Sequence, residues 1–135
     1  MNESNRHPIV EDPNVRIEMP DGCFLSAKLW IPKSAYSTPV PAILEHLPYR
    51  KRDGTANRDN RNHSWFAQNG YACIRTDMRG NGDSEGLMAD EYLQQELDDA
   101  INVIRWIVKQ PWCSGSVGMM GISWGGFNSL QVAAL

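Results

Sequence analysis

Cysteine, histidine and long apolar runs are all scarce in this chain, and each shortage removes a class of function. The three cysteines, Cys23, Cys73 and Cys113, are odd in number and widely spaced. With no C-x-x-C pair and no neighbouring histidine, neither a zinc site nor a redox pair is expected. Cys23 and Cys73 sit in strand-like apolar runs and read as small core residues. No stretch approaches the roughly 20 apolar residues that a membrane span needs, and Met1–Pro8 lacks the apolar core of an export signal, so cytoplasmic residence is the expectation. A charge excess is missing too: 13 basic against 16 acidic residues leave a net charge of −3, which argues against a nucleic-acid or anionic-membrane partner. The hydrophobic share of 41% and charged share of 21% are those of an ordinary globular protein, in a chain of 135 residues that is short for an α/β sheet with covering helices.

What the chain does contain is an alternating order of elements, without repeats or low-complexity tracts. Val15–Met19 alternates as a half-buried strand, Asp21-Gly22 marks a turn, and Phe24–Ile31 continues as a second strand ended by Pro32, an antiparallel hairpin signal. The residues before it, 1–14, are expected to be flexible. A surface loop over Lys33–Pro41 leads to a buried strand at Ala42–Leu44, a short helix around Ser64–Ala67 closed by Asn69-Gly70, and a strand over Tyr71–Arg75. From Asp90 to Lys109 the period becomes helical, with Leu93, Leu97, Ala100, Ile101, Ile104 and Val108 on one face, and Pro111 prevents continuation. The first strands are therefore expected to be antiparallel and the later ones parallel, the front half of the α/β-hydrolase order.

The sharpest signal is Gly121-Ile122-Ser123-Trp124-Gly125-Gly126, preceded by the apolar Val117-Gly118-Met119-Met120 and followed by Phe127–Leu135, which suits a helix packed on a sheet by Phe127, Leu130 and Ala134. Strand, glycine-flanked serine and helix make a nucleophile elbow, whose turn lifts a hydroxyl above the sheet and presses backbone together where only glycine fits. Ser123 is the candidate acyl-transfer nucleophile. The competing reading is a glycine-rich turn that happens to carry a surface serine.

Two loops could serve the same chemistry. In His46–Gly54, after the strand containing Ile43, the phenol of Tyr49 could join the backbone N–H of Trp124 in binding an oxyanion. Arg50, Lys51 and Arg52 read as solvated surface residues, and His46 as a residue that fixes this loop. The second loop, Asp77–Gly86, has a G-x-G after a strand but fails as a dinucleotide fingerprint: its third glycine comes one residue late, and Asp83 and Glu85 would repel a pyrophosphate. A rigid loop with Arg79 in an internal ion pair is the better account.

Taken together, Leu47–Arg52, Asp77–Gly86, Gln110-Pro111-Trp112-Cys113 and Gly121–Gly126 resemble the X-Pro dipeptidyl-peptidase and cocaine-esterase family of serine hydrolases, over nearly all of the chain from about Val15 onward. The resemblance implies an α/β-hydrolase fold, a Ser-Asp-His triad, no cofactor, and an oxyanion hole made by the tyrosine of the Pro-Tyr motif and the amide after the nucleophile. Carried over, these residues are Ser123, Tyr49 and Trp124. Family members often have tyrosine after the serine, where Trp124 stands here. In this fold the triad acid and histidine follow the nucleophile, whereas His7, His46 and His63 all precede Ser123. His7 and His63 read as surface residues. Residues 1–135 are accordingly expected to be the amino-terminal part of a catalytic domain, incomplete and inactive alone, acting when whole on a small-molecule ester or peptide. Esterase and dipeptidyl-peptidase both remain open. The alternative from another class is a non-catalytic hydrolase-like binding or interaction protein.

Overall fold

The computed structural model describes residues 6–135, so the part of the expected flexible segment at residues 1–5 lies outside the described residues. Five strands form one mixed sheet in the order β1-β2-β4-β3-β5. β1 (Ile9–Glu18) and β2 (Phe24–Pro32) make the expected antiparallel hairpin, and β2 runs antiparallel to β4 (Ala72–Asp77). β3 (Val40–Leu47) lies parallel to both β4 and β5 (Cys113–Met119).

Residues 9–14, within the segment expected to be flexible, belong to β1. Ile9–Asp12 pair with Leu29–Pro32, and the register shifts between Asp12 and Val15, around Pro13. Proline gives no N–H to a ladder, and the stretch is exposed on an edge strand, so it shows no apolar alternation.

Helix α1 spans Ala56–Gln68, far longer than the short helix the sequence suggests. Its buried positions Asp59, His63 and Ala67 recur every four residues, but two of the three are polar. A periodicity sought in apolar residues misses such a face. Helix α2 (Gln94–Val108) begins after Tyr92, at φ 59°, and the extended Leu93. It buries Glu96, Asp99, Ala100, Val103 and Ile107, a stripe turned away from the expected one, so that Leu93 and Val108 are exposed.

The main core lies between the sheet and α2, with Leu29, Leu44, Ile74, Val103 and Ile107 at its centre. A smaller one, Trp30, Ala67 and Cys73, lies under α1. These are opposite faces, as right-handed crossovers demand: β3 connects through α1 to β4 on one side, and β4 through α2 to β5 on the other. Helix α3 (Trp124–Ala133) packs against α2 and β3. The helices that follow the neighbouring strands β3 and β5 therefore diverge to opposite faces, and the crevice at the carboxyl ends of these strands is where open α/β sheets bind ligands.

Candidate active site

Ser123 stands where β5 passes into α3, with φ 54° and ψ −117°. An L-residue holds this conformation at a cost of about 1–3 kcal/mol, so the surrounding packing must impose it. The packing is visible at the two flanking glycines. A Cβ on Gly121 would lie 2.7 Å from Gly125 Cα and overlap the Gly125 carbonyl, and one on Gly125 would run into the buried Leu47 side chain, 3.2 Å from its Cγ. Gly126 is different, since a Cβ there would meet only the Gly121 carbonyl oxygen at 3.6 Å. Close seating of Gly125 also turns α3 so that Gly125, Asn128 and Val132 face inward. The expected contact residues Phe127 and Leu130 are instead 60% and 75% exposed.

Tyr49 and Trp124 lie side by side. The Trp124 backbone N–H donates to Tyr49 Oη at 3.2 Å, across 75 residues of sequence. The phenol and the amide thus meet at the turn that carries the exposed Ser123. The Trp124 indole is held from the other side: its Nε1–H donates to the carboxylate of Glu96 at 3.1 and 3.3 Å, and the Tyr92 ring lies 5.1 Å away. Burial pushes the Glu96 carboxyl above its usual range, against the opposing hydrogen bond from Trp124. Glu96 and Asp99 also line a cavity of about 370 Å³ with Met78, Leu87, Met88 and Leu93. Sequence reading missed Glu96; its signal was a carboxylate in helical register with Ala100, Val103 and Ile107.

Three side chains are placed otherwise than expected. Lys51 is buried, not solvated, with Nζ 2.6 Å from Asp83 Oδ2, whereas Arg50 and Arg52 are exposed. His46 fixes no loop: it is 1% exposed on β3, and neither ring nitrogen has a hydrogen-bond partner among the described residues. His63 is no surface residue. It is fully buried in α1, donates from Nε2 to Glu45 Oε2 at 2.8 Å, and stacks on Trp30 with ring centroids 4.9 Å apart. His7 is exposed, and its backbone N–H donates to the Gln68 carbonyl at 2.9 Å. Among the described residues no imidazole is hydrogen-bonded to Ser123.

Glu45, Asp59 and His63 are close enough to one another to offer a metal three ligands. Guanidinium groups already occupy their oxygens: Arg58 grips both Glu45 oxygens at 2.7 and 2.9 Å, and Arg75 Nε donates to Asp59 Oδ2 at 3.0 Å. Burial alone would raise the Glu45 carboxyl, but the hydrogen bonds from His63 and Arg58 hold it down at about 2. The cluster fastens α1 to the sheet. The Asp77–Gly86 loop is likewise ion-paired within the protein, Arg79 making two bonds to Asp99 at 2.8 and 2.9 Å and one to Asp21 at 2.8 Å.

Residues 21–135 match the X-Pro dipeptidyl-peptidase (S15) family. The chain belongs to that family. A member-like relative, cocaine esterase of Rhodococcus sp. (strain MB1 Bresler), is 37% identical over 123 residues, covering 89% of this chain and 20% of the relative. Among solved structures, a CocE/NonD family hydrolase from Staphylococcus aureus superposes with a TM-score of 0.81 at 20% identity, over 93% of this chain and 25% of that one. The Butyrivibrio proteoclasticus protein Est1E, solved with ferulic acid, gives 0.71 at 26% identity, over 89% of this chain and 47% of that one. The fold is that of the α/β-hydrolases, and the chain spans about a fifth of the length of the curated relatives it matches. Among the described residues no helix is long and apolar enough to cross a membrane.

Proposed function

We propose that this chain carries the nucleophile and oxyanion hole of a serine hydrolase that cleaves ester or amide bonds through an acyl-enzyme. Ser123 Oγ attacks the substrate carbonyl carbon, and the negative charge that develops on the carbonyl oxygen is taken up by Tyr49 Oη–H and the Trp124 N–H. Collapse expels the alcohol or amine, and water then releases the acid and restores the serine. One observation carries the reading: the Trp124 N–H and Tyr49 Oη lie 3.2 Å apart beside a serine held at positive φ. The imidazole that takes the Oγ proton, and the acid that orients it, are assigned to the part of the enzyme that relatives possess and this chain does not span. A small-molecule ester is the first substrate to test, by likeness to cocaine esterase. Cytoplasmic residence belongs to the same proposal and is supported by three free, widely spaced thiols.

The test is labelling of the longest gene product that carries this segment with a fluorophosphonate probe. Covalent labelling is expected at Ser123 and is expected to vanish in Ser123→Ala. Labelling that survives the substitution overturns the nucleophile, and a folded protein that is never labelled favours a non-catalytic binding role.

A further inference from the structure

Tyr49 leaves the sheet on a turn with little tolerance for error. Arg50, the next residue, has φ 58°, and a Cβ on Gly54 would overlap the Tyr49 carbonyl oxygen, so the turn closes back onto the tyrosine's own backbone. Lys51 then drops into the protein. Its backbone N–H donates to Asp77 Oδ1 at 2.8 Å, and its side chain, 2% exposed, ends with Nζ 2.6 Å from Asp83 Oδ2 and 3.7 Å from Asp77 Oδ2.

The other end of this contact is equally fixed. Asp77 closes β4 opposite Leu47, the last residue of β3, and is fully buried. Its second oxygen accepts the Asp83 N–H at 3.1 Å, Arg75 Nη1 lies 3.3 Å from Oδ1, and its own carbonyl accepts from Ser84 Oγ at 2.7 Å. The glycine-rich loop is thereby wrapped around one carboxylate and presents Asp83 to the lysine. Burying an ammonium is expensive unless it is fully paired, and a solvated lysine would serve solubility as well. The pairing is spent two residues from the phenol.

Resting on the hydrolase reading above, we propose that Lys51, clamped by Asp77 and Asp83, is the positioning residue for Tyr49, and that the Asp77–Gly86 loop braces the oxyanion hole. Lys51 touches no substrate. It acts by holding the Tyr49 turn so that the phenol meets the Trp124 amide, a geometry in which a displacement of about 1 Å can cost about a hundredfold in rate.

The experiment measures kcat and KM for an ester substrate with the longest gene product that carries this segment, in five forms: unaltered, Lys51→Met, Lys51→Arg, Tyr49→Phe and the Lys51→Met/Tyr49→Phe double variant. Lys51→Met is expected to lower kcat by roughly tenfold to a hundredfold with KM changed less than about twofold, and Lys51→Arg to recover most of the loss. In the Tyr49→Phe background, Lys51→Met is expected to add less than about a twofold further loss, because both act through one donor. Should Lys51→Met prevent folding, Asp83→Asn, which removes the negative charge nearest the ammonium at a part-exposed position, carries the same comparison. A kcat unchanged by Lys51→Met while Tyr49→Phe lowers it overturns the positioning role and leaves the hydrolase reading standing. Equal losses in both backgrounds also overturn it. A kcat unchanged by Tyr49→Phe overturns the oxyanion assignment itself.

Discussion

His46 is a basic side chain kept neutral by its surroundings. Burial pushes its imidazole down to about 4 from an ordinary 6.5, with the Asp99 charge opposing and the Arg75 charge adding to the depression. Below pH 6.5 the unfolded chain takes up a proton that the folded chain refuses, so stability falls as the pH drops through the window from about 6.5 to about 4. Below that window both states are protonated and the loss is complete, at about 3 kcal/mol for this one site. Glu45, held at about 2, acts with the same sign lower down: its contribution is present above an ordinary 4.5 and lost as the pH falls through about 2. Urea midpoints between pH 7 and pH 4.5 are expected to fall less in His46→Leu than in the unaltered protein. Equal falls would show that His46 is not the titrating group.

At the scale of elements, α3 depends on how near its first turn can come to β3. Gly121 and Gly125 meet backbone to backbone and Gly125 meets Leu47, but Gly126 has room. The elbow therefore needs two of its three glycines. Gly126→Ala is expected to keep fluorophosphonate labelling and to raise the melting temperature, since alanine in a helix interior is better than glycine by about 1 kcal/mol. Gly125→Ala is expected to abolish labelling or folding. Loss of labelling in Gly126→Ala at an undiminished melting temperature would contradict this division. Helix α1 adds polar pairing to its small apolar core: on its inner face Asp59 pairs with Arg75 and His63 hydrogen-bonds Glu45 on the sheet, contacts that fix its seat more specifically than apolar packing alone.

For the whole molecule, the three histidines are committed elsewhere: His7 is exposed near Gln68 and Ser34, His46 is buried in β3, and His63 is bound to Glu45. No base among the described residues reaches Ser123, and a triad serine without its base loses most of its rate. The 135-residue chain expressed alone is therefore expected to hydrolyse p-nitrophenyl acetate no faster than its Ser123→Ala variant. Turnover that depends on Ser123 would force a search for the base among His46 and His63. Among the described residues β5 lies at one edge of the sheet, and Phe127, Leu130 and Leu135 are largely exposed.

Local chemistry made the hairpin at Asp21-Gly22, the elbow at Gly121–Gly126 and the alternation of parallel strands with helices legible in the chain, because turn glycines and apolar runs act over a few residues. Ser123, Tyr49 and Trp124 could be singled out for the same reason: each lies beside a turn motif. Tertiary structure alone decided the rest. Whether Lys51 and His63 are buried depends on the carboxylates of Asp83 and Glu45, 32 and 18 residues away, and charged residues carry no apolar period by which burial can be read. The inner face of α3 was likewise set by the approach of Gly125 to Leu47, a contact between elements on which the hydrophobicity of Phe127 and Leu130 has no bearing.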